Sequence, residues 1–187
     1  MSTVGKQEER RYTYADYVTW GDETRFELIR GVPVAMAAPS PAHQAILLEL
    51  SVQFGSFLKG KRCKAYPAPF DVLLFAGGDA SDVVVQPDFS VVCDESKIDD
   101  RGCNGAPDLV IEILSPSSRL MDTELKKSLY WKAGVREYWF VDPQYQTLTA
   151  HIFGGDKLET KSYDKTAAVN VHVLEGCVIN LADVFAV

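Results

Sequence analysis

The sequence predicts an α+β fold, a mixed β-sheet flanked by helices with extra β-strands at the C-terminal end. Two observations predict it. The apolar period switches from helical to extended and back along the chain, giving the order helix, strands, helix, strands. After Pro143 the pattern is β alone. Residues 1–11 are polar and read as a loose tail, leaving 12–187 as one domain. Thr13 and Asp16 form a capping-box pair that starts a short helix through Trp20. Phe26–Ile29 and Val32–Val34 flank Gly31 as a hairpin, and Pro33 marks the second arm as an edge strand. Ser40-Pro41 opens a longer helix to about Lys59, with Leu47, Leu50, Phe54, Phe57 and Leu58 at helical spacing. His43 lies on that stripe. Phe70–Phe75 reads as a strand, Gly77-Gly78 as a turn, Val83–Val92 as a longer strand, and Asp108–Leu114 as a nearly all-apolar one. Asp122 is placed to cap a helix through Leu125, Leu129 and Ala133, closed by Gly134. Glu137–Val141, Thr147–Phe153, Leu158–Tyr163, Val169–Leu174 and Val178–Leu181 complete the strands.

Composition narrows the function classes. A length of 187 residues suits one domain with its own core, and nine Phe, eight Tyr and three Trp are too many buriable rings for a disordered chain. The longest apolar stretches, such as Val72–Ala76, fall far short of the ~18 residues of a membrane span. The polar N-terminus lacks a secretory apolar segment, so a cytoplasmic location is expected. Net charge is 19 − 26 = −7, which argues against a protein that coats nucleic acid non-specifically. Charge is uneven, however. Asp79, Asp82, Asp88, Asp94, Glu95, Asp99 and Asp100 face a single Lys97 between residues 79 and 100, whereas Lys59, Lys61, Arg62 and Lys64 cluster, as do Lys126, Lys127, Lys132 and Arg136. Cys63, Cys93, Cys103 and Cys177 show no metal or redox spacing and are expected as reduced thiols. The three histidines have no paired-ligand spacing, and phosphate-loop and dinucleotide glycine motifs are absent.

The chemistry centres on Glu112. It interrupts Leu109-Val110-Ile111-Glu112-Ile113-Leu114, a run that reads as a strand buried on both faces. A carboxylate there must be paired, hydrogen-bonded or metal-bound, because its uncompensated burial costs several kcal/mol. Asp88 poses the same question inside Val83–Val92. On neighbouring strands the two carboxylates would lie within about 5 Å and repel, and a hard divalent cation between them turns repulsion into binding. Asp108 faces the same way as Glu112 but sits four residues off, about 13 Å along an extended strand, so it cannot share the ion. Asp108 is instead expected to bind backbone at the strand start. Phosphodiester hydrolysis also needs positive charge near the phosphate, and Lys126 or Lys127 on the following helix can supply it.

These residues, in this order, resemble the bacterial Uma-type restriction endonuclease family, a branch of the PD-(D/E)xK nuclease superfamily. The marks are Phe26-Glu27-Leu28-Ile29-Arg30-Gly31, Pro39-Ser40-Pro41-x-His43, Gln86-Pro87-Asp88, Pro107 to Ser117, Lys126 to Tyr130 and Gly134 to Asp142. They cover roughly Tyr12 to Val184. The resemblance implies a restriction-endonuclease-like core and divalent-metal-dependent cleavage of DNA. Asp88 becomes the Asp of the PD motif and Glu112 the acidic member of (D/E)xK. Position 114 is Leu where the superfamily has Lys, and the relocated lysine of this branch falls on Lys126. Glu27 is implied as a further acidic group and His43 as a phosphate contact.

The expected site is therefore one Mg²⁺ or Mn²⁺ held by Asp88, Glu112 and the backbone carbonyl of Ile113, with Lys126 toward the phosphate. A homodimer is expected, since duplex cleavage needs two cuts. The competing expectation is a catalytically silent binding or scaffold module on the same fold. A third is that Glu112 and Lys126 form only a buried structural ion pair.

Overall fold

The computed structural model describes residues 10–21, 25–75, 81–155 and 157–186. Most of the N-terminal tail, the Gly77-Gly78 turn and Asp79 lie outside them. The elements are α1 (Tyr14–Tyr17), β1 (Phe26–Ile29), β2 (Val32–Ala35), α2 (Pro41–Leu58), β3 (Lys64–Pro67), β4 (Val72–Leu73), β5 (Val84–Val85) and β6 (Phe89–Val92). Then come β7 (Ile98–Asp99), β8 (Gly102–Asn104), β9 (Leu109–Ile113), α3 (Lys127–Ala133), β10 (Glu137–Asp142), β11 (Thr147–Gly154), β12 (Lys157–Asp164), β13 (Ala168–Asn170), β14 (Val178–Asn180) and α4 (Leu181–Val184). A π-helical segment, Met121–Lys126, leads directly into α3.

The strands form two six-stranded sheets, ordered β2-β1-β5-β4-β8-β7 and β12-β11-β10-β9-β6-β3, and a small β13-β14 pair. In the second sheet β9 and β10 are parallel, joined by the helical crossover through α3, and the other pairings are antiparallel. A crossover helix is the usual way to return a parallel strand. Pro33 lies on β2, the edge of the first sheet, where its missing N–H leaves no ladder bond unmade.

Alternation along β9 fixes the two faces of the central sheet. Leu109, Ile111 and Ile113 pack with Phe89, Trp139 and the α2 stripe of Ile46, Leu47, Leu50, Phe54 and Leu58. Phe54 contacts Phe89 and Trp139 with ring centroids 5.0 and 5.9 Å apart. Truncating a fully buried residue such as Leu50 costs about 2–5 kcal/mol. Val110, on the opposite face, joins Leu129 and Tyr130 of α3, Tyr138 of β10 and Val72 and Val85 of the first sheet. By period two, Glu112 shares the face of Val110 and so points between the two sheets.

Several elements differ from the sequence expectation. Val83–Val92 is not one strand, because β5 belongs to the first sheet and β6 to the second, and the chain changes sheet at Gln86-Pro87-Asp88. Pro87 has no N–H to donate to a ladder and suits that corner. Phe70–Phe75 shortens to Val72–Leu73, and Val169–Leu174 to Ala168–Asn170. β3, β7, β8 and α4 have no counterpart in the pattern. Asp122 caps nothing, since it lies inside the helical crossover with its N–H on the Ser118 carbonyl. The thiol expectation is corrected for two of four cysteines, which form a Cys63–Cys93 disulfide. The β3/β6 register, Lys64 opposite Val92, brings the flanking Cys63 and Cys93 together, a juxtaposition no local spacing reveals. Cys103 and Cys177 are free and buried. Gly134 closes α3 at φ +94°, in the left-handed region that favours glycine.

Candidate active site

The corner at Asp88 and the C-terminal end of β9 meet. The β6/β9 register pairs Phe89 with Ile111, so one step further Asp88 stands opposite Glu112. The Ile113 N–H donates to Asp88 Oδ2 at 2.7 Å, and the Asp88 N–H makes a long 3.4 Å contact to Glu112 Oε2. His43, in the first turn of α2, lies with Nε2 3.1 Å from the same Asp88 Oδ2. Its position follows from the Ser40 cap, whose hydroxyl accepts the His43 N–H.

Behind Glu112 sits a buried charge cluster. Lys126 Nζ is 2.8 Å from Glu27 Oε1, 3.0 Å from Glu112 Oε1 and 3.4 Å from Asp122 Oδ1, and all four side chains are at most 5% exposed. The Tyr130 hydroxyl donates to Glu112 Oε1 at 2.7 Å, and the Tyr138 hydroxyl to the Asp122 carbonyl. Asp122, Lys126 and Tyr130 recur every four residues, forming one stripe on the crossover helix. The π-helical turn lies within that stripe, a feature frequent at functional sites. Glu27 is set by β1, and its other strong contact is the backbone N–H of Gln86, which donates to Oε1 at 2.9 Å.

Three carboxylates face one ammonium, and Asp88 lies beside Glu112. Burial, reinforced by the charges of Asp122, Asp88 and Glu27 and opposed by Lys126, raises the Glu112 pKa well above the usual carboxylate range. Burial also raises Asp122. For Lys126, burial favours the neutral amine, but Glu112, Glu27 and Asp122 outweigh it and hold the side chain protonated. Burial and the Glu112 charge raise the Tyr130 phenol, keeping it a donor.

The structure thus brings together Asp88, Glu112, Ile113, Lys126, Glu27 and His43. Asp108 stays apart: it accepts the Cys93 N–H at 2.8 Å and pairs with Arg136, as expected for a residue that ties down a strand start. Sequence reasoning missed Asp122 and Tyr130, although their i−4 and i+4 spacing about Lys126 was a usable signal. Among the described residues no group of three or more His, Cys, Asp or Glu has metal-holding geometry. Asp88 and Glu112 are two carboxylates on adjacent strands, oxygen donors of the kind a hard cation takes. Lys126 and Tyr130 both occupy Glu112 Oε1, leaving Oε2 with the single long contact, and Asp88 Oδ1 has no hydrogen bond among the described residues.

Residues 14–182 match the Uma2 family, described as "Putative restriction endonuclease". A solved structure, that of a "putative nuclease belonging to DUF820" from Anabaena variabilis, is similar over 93% of this chain and 97% of its own length, with a TM-score of 0.72 and 26% identity. No curated protein matches. The core is restriction-endonuclease-like, and among the described residues no helix is long and apolar enough to cross a membrane.

Proposed function

Because the chain belongs to the Uma2 family, we propose that it is a divalent-metal-dependent endonuclease that hydrolyses DNA phosphodiester bonds. The observation that carries this reading is the pairing of Asp88 and Glu112 across the β6–β9 junction, each with one carboxylate oxygen free of strong donors. One Mg²⁺ or Mn²⁺ would be held by those two oxygens. The Ile113 carbonyl would join them, since the Ile113 N–H already points at Asp88 and an extended residue sends N–H and C=O to the same side. Bound there, the ion would polarise a phosphoryl oxygen and acidify a water.

The protein groups have separable duties in this reading. Lys126 spends its contacts on three carboxylates, so its role is to fix Glu112 and balance the buried charge rather than to reach the phosphate. Tyr130 shares that role. His43 holds Asp88 in its rotamer through Oδ2, leaving Oδ1 for the ion. Glu27 anchors Lys126 from the other sheet and ties the corner down through the Gln86 N–H. Residues 12–187 act as one unit in this scheme, and a homodimer would place two such centres on a duplex.

One observation favours the silent binding module instead: the buried Lys126 ammonium lies within 3.4 Å of three carboxylates, as in a purely structural ion pair. The deciding experiment incubates the purified protein with supercoiled plasmid and with single-stranded DNA in Mg²⁺, Mn²⁺ or EDTA. Cleavage in either metal and none in EDTA is expected. DNA binding without cleavage in both metals would hand the site to the binding module.

A further inference from the structure

Beside the carboxylate centre lies a cavity of about 680 Å³, within the range of ligand pockets. The proposed nuclease chemistry leaves it unused. Its wall is aromatic: Trp20 stands between Tyr17 and Phe26, with ring centroids 5.4 and 5.6 Å away. Its polar end is Asp71, whose Oδ1 takes both the Tyr17 hydroxyl at 3.0 Å and the Gln86 Nε2 at 2.7 Å. Among the described residues Asp71 Oδ2 has no hydrogen bond, so one acceptor oxygen remains on the lining. Two guanidinium groups, Arg25 and Arg101, also line the cavity, and both residues are exposed.

Gln86 couples this cavity to the carboxylates. Its side-chain oxygen accepts Arg25 Nε and Nη2 at 2.9 and 2.6 Å, its amide holds Asp71, and its backbone N–H holds Glu27. It stands two residues before Asp88 across the corner, at most about 7 Å of chain, within roughly two stacked nucleotide steps of 3.4 Å. Gly102 closes the wall behind Asp71: a Cβ at that position would stand 2.2 Å from the Asp71 carbonyl oxygen, so only glycine fits.

Each part suits one chemistry. Aromatic faces stack bases irrespective of sequence, a free carboxylate oxygen accepts an N–H from a base edge, and guanidinium groups at a rim pair with phosphate. A fully paired duplex presents no base face to such a cavity. We propose that it receives one unpaired nucleobase of the DNA strand held at Asp88 and Glu112. This rests on the nuclease reading above and deepens it: the favoured substrate is DNA with an unstacked base one or two steps from the cleaved phosphate. Trp20 stacks on that base, Asp71 Oδ2 accepts its N–H, and Arg25 and Arg101 take the flanking phosphates. Gln86 is a positioning residue.

The test measures binding of the full chain in EDTA, by fluorescence anisotropy, to three labelled DNAs: a paired duplex, the same duplex with one unpaired base, and the same duplex with an abasic site there. The same DNAs are then incubated in Mg²⁺ to read cleavage. Wild type should bind the unpaired-base duplex about tenfold more tightly than the other two, the scale of one base–aromatic stack. Trp20→Ala should abolish that preference without weakening binding to the abasic duplex. Because Trp20 also packs on Tyr12, Asp71→Asn serves as a second variant that keeps the shape, and it should lose most of the preference. Equal binding of all three DNAs by wild type, or an undiminished preference in folded Asp71→Asn, overturns the base pocket while metal-dependent cleavage still upholds the nuclease. Absence of both binding and cleavage overturns the nuclease reading and the pocket with it.

Discussion

Replacing Lys126 by Met removes the charge at the centre of the site while keeping most of the stem volume. Its ammonium lies 2.8, 3.0 and 3.4 Å from three carboxylates, with its side chain 5% exposed. At ~3 Å and an effective dielectric near 20, one such charge pair is worth about 5 kcal/mol before desolvation. Desolvation cancels much of this, and deletion of one partner from a buried ion pair costs about 3–5 kcal/mol net. Against a total stability of about 5–15 kcal/mol, that is a large share. The cost should depend on pH. Without the lysine, Glu112 and Asp122 resist ionisation in the folded chain more than before, so the folded state binds more protons than the unfolded one above the unfolded carboxylate range. Stability of the variant then falls as pH rises, and its deficit relative to wild type is larger at pH 8 than at pH 5.5. Urea unfolding followed by circular dichroism at both pH values measures this. Adding Glu112→Gln should recover part of the loss at pH 8. A Lys126→Met protein within 1 kcal/mol of wild type at pH 8, or one with the same deficit at both pH values, refutes the assignment of Lys126 as the balancing charge.

Three further outcomes follow from the same geometry. Glu112 carries a raised folded-state pKa, so its contribution to stability is complete below the unfolded value near 4.5 and is lost as pH rises through the folded value; metal-free wild type should weaken in that direction, and Mg²⁺ should flatten the slope by favouring the ionised form. His151 is the opposite case. Burial and Lys127 lower its pKa to about 4, so stability is lost as pH falls from 6.5 toward 4, and an NMR titration of the imidazole with a midpoint near 6.5 would contradict its buried stacking on Tyr138 and Phe153. The Cys63–Cys93 bond closes a loop of 30 residues, for which chain entropy gives about 3–4 kcal/mol; Cys63→Ser/Cys93→Ser should lose that much by urea unfolding, and an unchanged midpoint would exclude the bond from the native protein.

Much of the site was legible because burial of a carboxylate is a sequence-level event. Glu112 stood out in an apolar strand, Asp88 followed from the need for a partner, and the rise of an extended strand set Asp108 aside. Ser40-Pro41 located α2 and hence His43, because cap chemistry is local. What was hidden depends on tertiary register. Val83–Val92 is continuous in hydropathy yet divides between two sheets, and nothing in an apolar run records which neighbour it pairs with. Cys63 and Cys93 meet through the β3/β6 pairing. Asp122 has a residue type that suits a helix cap, and its real place inside the helix depends on a π turn and on a lysine that three carboxylates share. The surroundings of Lys126 were hidden for the same reason: the sequence places it on the helix after β9, but its position between Glu27, Glu112 and Asp122 depends on how that helix packs.

The most direct measurement compares plasmid cleavage by wild type and Glu112→Gln across a Mg²⁺ and Mn²⁺ titration, with circular dichroism to establish that both are folded. Gln can still accept from Lys126 and Tyr130, so the fold should survive while the anionic ligand is lost. Wild type should cut with a metal-dependent rate and Glu112→Gln should not cut at any metal concentration. A folded Glu112→Gln that cleaves DNA with the wild-type metal dependence would contradict a catalytic centre at Asp88 and Glu112.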